Sequence, residues 1–393
     1  MKLLFLVTED WYFVSHRLQL ARAARDAGAE VLVMTHITKF RPVLEREGFM
    51  IIPWQISRRS LNPFRELYVF CQVVRAYKRE RPDLVHHVAL KPIVYGGLAS
   101  RLCGRVPSVN AITGLGHVFT SSLRKPRLLR SALSSILRSL FNTNGVRVIF
   151  QNHDDLNLLV GEGVVSRKRS LVIRGAGVKA DEFLPRPEPS DVPIVMLASR
   201  MLWDKGVGEF VSAASKLRQS SLAARFVLVG RTDPENPSSV KDDQLREWES
   251  AGLMEWWGHR NDMAAVIAQS NVVCLPSYRE GLPKVLIEAA ACGRAIVATD
   301  VPGCREVVRH GDNGLLVPPR NADALAHALA TLVKDPALRA RMGARGREIA
   351  VQEFSDDTVL SQTMLVYREL LGSKWNDGQR EENWIAAAST ERH

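Results

Sequence analysis

Short, uniformly apolar runs alternate along the whole chain with longer segments whose apolar residues recur every three or four positions. Runs of the first kind predict strands buried on both faces, as in parallel sheets. Segments of the second kind predict amphipathic helices. The first run is "KLLFLVT"; an amphipathic segment from Ser15 to Ala27 follows, Gly28 ends it, and "EVLVMT" supplies the next strand. Further strands are expected at "DLVHHVA", "SVNAIT" and "RVIFQN", and then at "PIVMLAS", "RFVLVG", "NVVCLPS" and "AIVATD". Strand and helix in strict alternation predict βαβ units and an α/β fold.

The chain has 393 residues, enough for two such domains. Between the halves lies "DEFLPRPEPSDVP" (181–193), with four prolines and few apolar residues, the composition of a linker. The expected domains are therefore 1–180 and 194–357, with the linker between them. A helix over about 358–372 is expected to pack back on the first domain, and 373–393 forms a polar tail. Two Rossmann-like domains joined in this way are expected to leave a cleft at the C-terminal edges of their sheets.

Charge sharpens this picture. Residues 1–180 hold 28 Lys and Arg against 12 Asp and Glu, a net +16, whereas the remainder carries −5. A half so basic is expected to face something anionic. "MKLLFLV" meets Glu9 and Asp10 at once, so it is expected to be a first strand rather than a leader. No run reaches the roughly 18–20 apolar residues of a membrane helix. The five cysteines (71, 103, 274, 292 and 304) lack paired metal spacing, which predicts reduced thiols and no zinc site.

The densest chemistry lies in "SYREGLPKVLIEAAACG" (277–293). It predicts a turn into a helix, with Pro283 in the first helical turn and Gly293 at the stop. Backbone N–H groups near Gly281–Lys284 would then form an anion site at a strand's end. Glu288 lies at most ~12 Å along the helix from Glu280 by rise alone. Two carboxylates at that separation suit the sugar and ribose hydroxyls of a nucleotide-diphosphate sugar, because a carboxylate only accepts hydrogen bonds.

This stretch closely resembles the E-x7-E motif of the family 4 retaining glycosyltransferases of the GT-B fold. "ASRMLWDKGVGEFVSAA" (198–214) resembles the family's Arg-x4-Lys-Gly segment, and "LVGRTDPEN", "WWGHRNDM" and "TDVPGCREVVRHGDNGLLVPPRN" resemble its later blocks in order. The resemblance implies that Arg200 and Lys205 bind the diphosphate, that Glu280 holds the transferred sugar, and that Glu288 holds the ribose. It further implies a phosphate cradle at Gly281 and Leu282 and donor contacts at Arg231, Gly258 and His259. The donor would be a UDP-sugar, with no further cofactor and no metal, since the Asp-x-Asp of metal-dependent enzymes is missing from the sequence.

The family's Gly-Gly loop is replaced here by "TEDWYFVSHRLQLA" (8–21), which resembles the CapM-like and PglA-like subgroup acting on polyprenyl-diphosphate-linked sugars. That resemblance implies transfer of an N-acetylhexosamine to an undecaprenyl-diphosphate-linked acceptor in O-antigen, capsule or glycan assembly. Acceptor candidates are His16, expected to open the first helix, Lys91 in a βα loop, and His117 in "TGLGH". Residues 121–150 hold six Lys and Arg and no acid. "RLLRSALSSILRSLF" (127–141) sets Leu129, Leu133, Ile136, Leu137 and Leu140 on one stripe, either a core face or an interfacial surface, and the +16 charge favours the latter, an anionic membrane surface met through residues 121–141. The expected location is cytoplasmic and peripheral on the inner membrane face. An isomerase like UDP-N-acetylglucosamine 2-epimerase is the alternative enzyme. Nucleic-acid binding is disfavoured by leucines where stacking aromatics are expected, and a dehydrogenase by the lack of G-x-G-x-x-G.

Overall fold

The computed structural model describes residues 1–57, 62–115, 124–175 and 177–375, with side chains described from 130 onward in the helix that begins at 124. The chain divides into two compact units, Met1–Ala176 with Val359–His393, and Gly177–Thr358.

The N-terminal unit is a parallel sheet with helical crossovers. Its strands are β1 (Lys2–Glu9), β2 (Glu30–His36), β3 (Met50–Pro53), β4 (Leu84–Val88), β5 (Ser108–Ile112), β6 (Val146–Phe150) and β7 (Ser170–Val172), in spatial order β3-β2-β1-β4-β5-β6-β7. Successive residues of β1 serve opposite faces: Leu3, Phe5 and Val7 enter one core cluster, Leu4 and Leu6 another. The segment expected as one helix from Ser15 is two, α1 (Asp10–His16) and α2 (Leu18–Asp26), broken at Arg17. Asp10 is fully buried and accepts from the Thr38 backbone N–H at 2.6 Å and from the Thr38 hydroxyl at 2.6 Å, which ties α1 to the loop after β2. Three helices follow, α3 (Arg41–Arg46), α4 (Pro63–Glu80) and α5 (Leu90–Leu102).

Helix α6 (Arg124–Phe141) buries Leu137 and Leu140 against α7 (His153–Gly161), β6 and α5. Leu133 is partly buried in the same cluster. Arg130 pairs with Glu162, and Arg138 donates to the carbonyls of Gly163 at 2.9 Å and Glu162 at 3.1 Å. Leu133, Leu137 and Leu140 of the stripe thus pack on the core, Ile136 is 39% exposed, and these two arginines are engaged within the unit. The Leu129 and Arg127 side chains lie outside the described residues.

The C-terminal unit repeats the scheme. Its strands are β8 (Ile194–Ala198), β9 (Arg225–Val229), β10 (Glu255–Trp256), β11 (Val272–Leu275), β12 (Ala295–Thr299) and β13 (Gly314–Val317), all parallel, in order β10-β9-β8-β11-β12-β13. The helices are α8 (Val207–Gln219), α9 (Asp242–Ser250), α10 (Met263–Ala268), α11 (Lys284–Ala291), α12 (Cys304–Val307), α13 (Ala322–Lys334) and α14 (Pro336–Phe354). Helix α11 is locked to α14 by close backbone approach, since a Cβ on Gly343 would lie 2.1 Å from the Gly293 carbonyl oxygen. The last helix, α15 (Asp356–Leu371), starts in this unit and ends in the N-terminal one. There Tyr367 is fully buried and its hydroxyl meets His86 Nδ1 at 2.5 Å.

The proline-rich segment 181–193, expected as the linker, is fastened to the C-terminal unit. Glu188 accepts from Asn271 and from Arg339, both at 2.9 Å, and Arg294 donates to the Arg186 carbonyl at 2.8 Å. The chain passes between the units at 176–177 and again within α15.

Core packing in the N-terminal unit yields a direct test. The fully buried His87 sits between the Tyr77 hydroxyl and Asn110, at 2.8 Å each, and a Cβ on Gly96 would lie 2.2 Å from its Nε2. Gly96→Ala should therefore cost about 1–3 kcal/mol in denaturant unfolding. An unchanged midpoint would show that His87 is free to move.

Candidate active site

In the C-terminal unit, β8 and β11 are hydrogen-bonded neighbours whose crossovers leave toward opposite edges of the sheet. Loops leaving the C-terminal ends of two such strands converge, and open α/β sheets bind ligands at this point. The loop after β8 carries Arg200 and Lys205, and the loop after β11 carries Ser277 and Glu280.

The two loops are fastened to each other. Lys205 Nζ donates to Glu280 Oε1 at 2.5 Å, and the Ser277 hydroxyl donates to the same oxygen at 2.6 Å. Ser277 is itself fixed from β12, where the Thr299 hydroxyl donates to its carbonyl oxygen. The Tyr278 N–H donates to the Asp204 carbonyl at 3.0 Å, a backbone link between the loops. Their separation leaves no room for a side chain at Gly206, which has φ 74° and whose added Cβ would lie 2.1 Å from the Pro276 carbonyl oxygen. A third segment closes in at Gly303, φ 43°, where a Cβ would come within 2.6 Å of the Gly281 oxygen.

Arg200 donates to Asp233 at 2.7 Å, and the Asp233 N–H donates to the Ser239 hydroxyl at 3.0 Å. Arg231 is exposed beside this pair in sequence, and its carbonyl accepts from the Met201 N–H at 2.9 Å. Gly258 accepts from the Gly230 N–H at 2.7 Å, which brings the loop carrying Gly258 and His259 to the end of β9. The structure thus gathers Arg200, Lys205, Glu280, Gly281 and Leu282 on neighbouring loops at the ends of β8 and β11, with Arg231, Gly258 and His259 on the β9 side.

Pro283 is the residue before α11 rather than inside its first turn, and the helix begins at Lys284. Only the stretch from Lys284 to Glu288 is helical, so a distance based on helix rise does not span Glu280 to Glu288. Glu288 is 7 % exposed, and Lys284, one turn earlier, approaches it at 3.4 Å. Burial raises the Glu288 carboxyl above the usual carboxylate range, with the Lys284 ammonium working against that shift. A buried carboxylate with one cation at long range retains unfilled acceptor capacity.

Behind these loops the Tyr278 hydroxyl donates to Glu209 at 2.7 Å, and the Arg320 guanidinium lies 4.5 Å from the Tyr278 ring centroid. Burial and the Glu209 carboxylate push the Tyr278 phenol up to about 12, so it remains a donor at neutral pH. Spacing within one motif did not reveal Thr299, Asp233 or Tyr278 as partners, because each acts on a residue from another segment; Ser277 lies inside the motif, three residues before Glu280.

The comparisons with known proteins agree with this geometry. Residues 192–335 match the family model described as "Glycosyl transferases group 1", and residues 2–152 match "Glycosyl transferase 4-like". The chain is 34% identical over 322 residues to N-acetyl-alpha-D-glucosaminyl L-malate synthase of Bacillus anthracis, covering 79% of this chain and 80% of that protein. The chain belongs to the family 4 glycosyltransferases. It is also 29% identical over 362 residues, 89% of this chain and 93% of the other, to N,N'-diacetylbacillosaminyl-diphospho-undecaprenol alpha-1,3-N-acetylgalactosaminyltransferase of Campylobacter jejuni. Among solved structures, Anabaena HepE in complex with UDP superimposes with a TM-score of 0.75 at 22% identity, covering 94% of this chain and 100% of that one. Sucrose-phosphate synthase from Thermosynechococcus elongatus gives a TM-score of 0.77 at 21% identity, covering 95% and 100%. These likenesses show the GT-B fold of two Rossmann-like units.

The acceptor candidates of this glycosyltransferase lie in the N-terminal unit. His16 closes α1 rather than opening a helix, and it stacks on Tyr12 with ring centroids 4.1 Å apart. Lys91, in the first turn of α5, donates to the Ser57 carbonyl at 2.9 Å and pairs with Glu66 at 3.2 Å. It is thus engaged within the unit, and an acceptor phosphate would have to compete for it. His117 lies outside the described residues.

The Glu288 environment sets a pH test. A carboxyl raised in the folded state holds its proton more tightly there than in the unfolded chain. Stability is therefore lost as pH climbs from the unfolded value through the folded one. Glu288→Gln removes this titration, so its stability relative to the parent should increase from about pH 4 to about pH 7 in urea unfolding. A difference independent of pH would contradict the raised carboxyl.

Proposed function

We propose that this enzyme transfers an N-acetylhexosamine from a UDP-sugar, with retention and without a metal, to an undecaprenyl-diphosphate-linked acceptor in O-antigen, capsule or related glycan assembly. The observation that carries the donor half is the convergence of Lys205, Glu280 and Ser277 at the β8–β11 junction. The acceptor half rests on two relatives. One is the Campylobacter jejuni enzyme; the other is the Escherichia coli enzyme named UDP-Gal:alpha-D-GlcNAc-diphosphoundecaprenol alpha-1,3-galactosyltransferase, 25% identical over 293 residues, 71% of this chain and 74% of that protein. No relative described here is named as an isomerase, and nothing in the site favours an epimerase.

The chemistry follows from charge. Without a donor, Lys205 and Glu280 neutralise each other across 2.5 Å, and so do Arg200 and Asp233 across 2.7 Å. A diphosphate brings more negative charge than either carboxylate, so Lys205 and Arg200 turn to it and offset the charge on departing UDP. Glu280, released from Lys205 but still fixed by Ser277, accepts from sugar hydroxyls. Glu288 accepts from the ribose hydroxyls, whose donated bonds favour its ionised form. The backbone at Gly281 and Leu282 completes the phosphate cradle, and Arg231, Gly258 and His259 border the nucleoside. In a closed site this positioning supplies the rate enhancement.

A lipid-linked acceptor requires the enzyme to work at the cytoplasmic membrane surface. Among the described residues no helix is long and apolar enough to cross a membrane. The basic N-terminal half supplies charge attraction to anionic lipid. Apolar contact comes from the start of α4, where Phe64 is 83% exposed, Leu67 60% and Tyr68 47%, on one face beside exposed Arg65. Leu133, Leu137 and Leu140 of α6 pack on the core, which favours the α4 face as the apolar surface.

Lys205→Ala should lower turnover by roughly 10²–10³-fold with the fold intact, read as transfer from UDP-sugar to a polyprenyl-diphosphate acceptor. Activity near that of the parent would remove Lys205 from the diphosphate site. Changing Phe64, Leu67 and Tyr68 together to Ser should release the protein from anionic liposomes in a flotation assay. Undiminished flotation would place the contact elsewhere.

A further inference from the structure

Beneath the break between α1 and α2, the N-terminal unit contains a small cavity, with Leu20, Ile149 and Ile173 in its lining, that the donor chemistry does not use. The space open to water-sized atoms is about 20 Å³, lined by His16, Arg17, His86, Gln151, Gly175 and Thr363 among others. A water needs on the order of 10–15 Å³ by the same measure, so the cavity admits one or two oxygen-sized atoms.

Two buried nitrogens in this lining lack partners. Arg17 is 6% exposed and His86 1%, and neither Arg17 Nε nor His86 Nε2 has a hydrogen-bond partner. Arg17 Nη1 donates to the His16 carbonyl at 3.1 Å, and no carboxylate pairs with the guanidinium among the described residues. A buried guanidinium without a counter-charge is costly, and water satisfies its hydrogen bond without neutralising its charge. His86 is held neutral: burial, the Arg17 charge and neighbouring His87 all press its pKa well below the ordinary histidine value. The His86 Nδ1–Tyr367 hydrogen bond fixes the tautomer by its direction: when the hydroxyl donates to Nδ1, the neutral ring carries its proton on Nε2, and both unpartnered nitrogens are donors. Arg17 also stands at the N-terminus of the nine-residue α2, whose dipole favours negative charge there, and it makes no side-chain cap bond.

We infer that this cavity is an anion subsite that takes the terminal oxygens of a phosphoryl group, held by Arg17 and His86. Its size admits one or two terminal oxygens of a phosphoryl group, with the rest of the group outside, and excludes a nucleoside. The phosphoryl group belongs either to a lipid-linked diphosphate or to free inorganic phosphate. The lipid source rests on the acceptor class proposed above; the site itself does not.

The test uses the full chain, with inorganic phosphate and pyrophosphate as probes at constant ionic strength. The melting temperature of the parent should rise with either probe, whereas Arg17→Met should give no rise while keeping the parent's circular dichroism. Arg17→Lys, which retains the charge, should keep part of the rise. His86→Phe, which retains the ring stacked on Phe5, should lose part of it. Should Arg17→Met fail to fold, these two variants decide the matter. An equal rise in parent and variants, or none in the parent, overturns the subsite. A second arm separates the sources. A rise of roughly tenfold or more in KM for a polyprenyl-diphosphate acceptor in Arg17→Met, with the donor KM unchanged, assigns the lipid diphosphate. An unchanged acceptor KM with an Arg17-dependent phosphate shift assigns free phosphate.

Discussion

In the C-terminal unit, two parallel strands lie side by side while the chain leaves them in opposite directions. Because β8 pairs with β9 on one flank and β11 with β12 on the other, no crossover covers the junction, and the loops after β8 and β11 are brought together above it. Everything assigned to the donor depends on that meeting. Lys205 and Glu280 are 75 residues apart in sequence yet 2.5 Å apart in space. The junction also explains why glycine is required at 206 and 303, where backbone from a second loop occupies the place of a Cβ.

Buried charge is the second theme, and two cases bear on ligands. Glu288 is buried with one ion-pair partner, Lys284 at 3.4 Å, and Arg17 is buried with no carboxylate partner among the described residues. Folding alone gives no reason to bury either group in this way, since an apolar side chain of similar size would fit at less cost. Both become reasonable if a ligand supplies the missing partner: hydroxyl donors for the carboxylate, a phosphoryl oxygen for the guanidinium. The remaining buried polar networks, such as Tyr77–His87–Asn110 and the Glu188 ties to Asn271 and Arg339, are closed within the chain and are structural.

How much the sequence revealed follows the same physics. The nine interior strands were legible because burial on both faces demands unbroken apolar runs such as "KLLFLVT" and "AIVATD". The four that were missed, β3, β7, β10 and β13, are all at sheet edges, where "SLV" and "EW" suffice because one side needs no partner. The break at Arg17 was hidden because apolar periodicity continues through it. The motif residues Arg200, Lys205, Glu280 and Glu288 were recognisable by resemblance, but their partners were not. Asp233 and Thr299 acquire meaning only through contacts with other segments, and Ser277 through an i, i+3 bond inside an irregular loop that no helical or strand period describes. The leucine stripe of α6 left core and membrane face both open; Leu133, Leu137 and Leu140 pack on the core, while Ile136 is 39% exposed.

The most direct measurement is thermal unfolding of the parent and Glu288→Ala with UDP, GDP and ADP in parallel. A nucleotide at about 100 times its dissociation constant adds about 2.7 kcal/mol of stability, which is readily seen as a shift in Tm. The account predicts selective stabilisation by UDP that disappears in Glu288→Ala. Stabilisation by GDP instead, or a UDP shift that survives in Glu288→Ala, would contradict it.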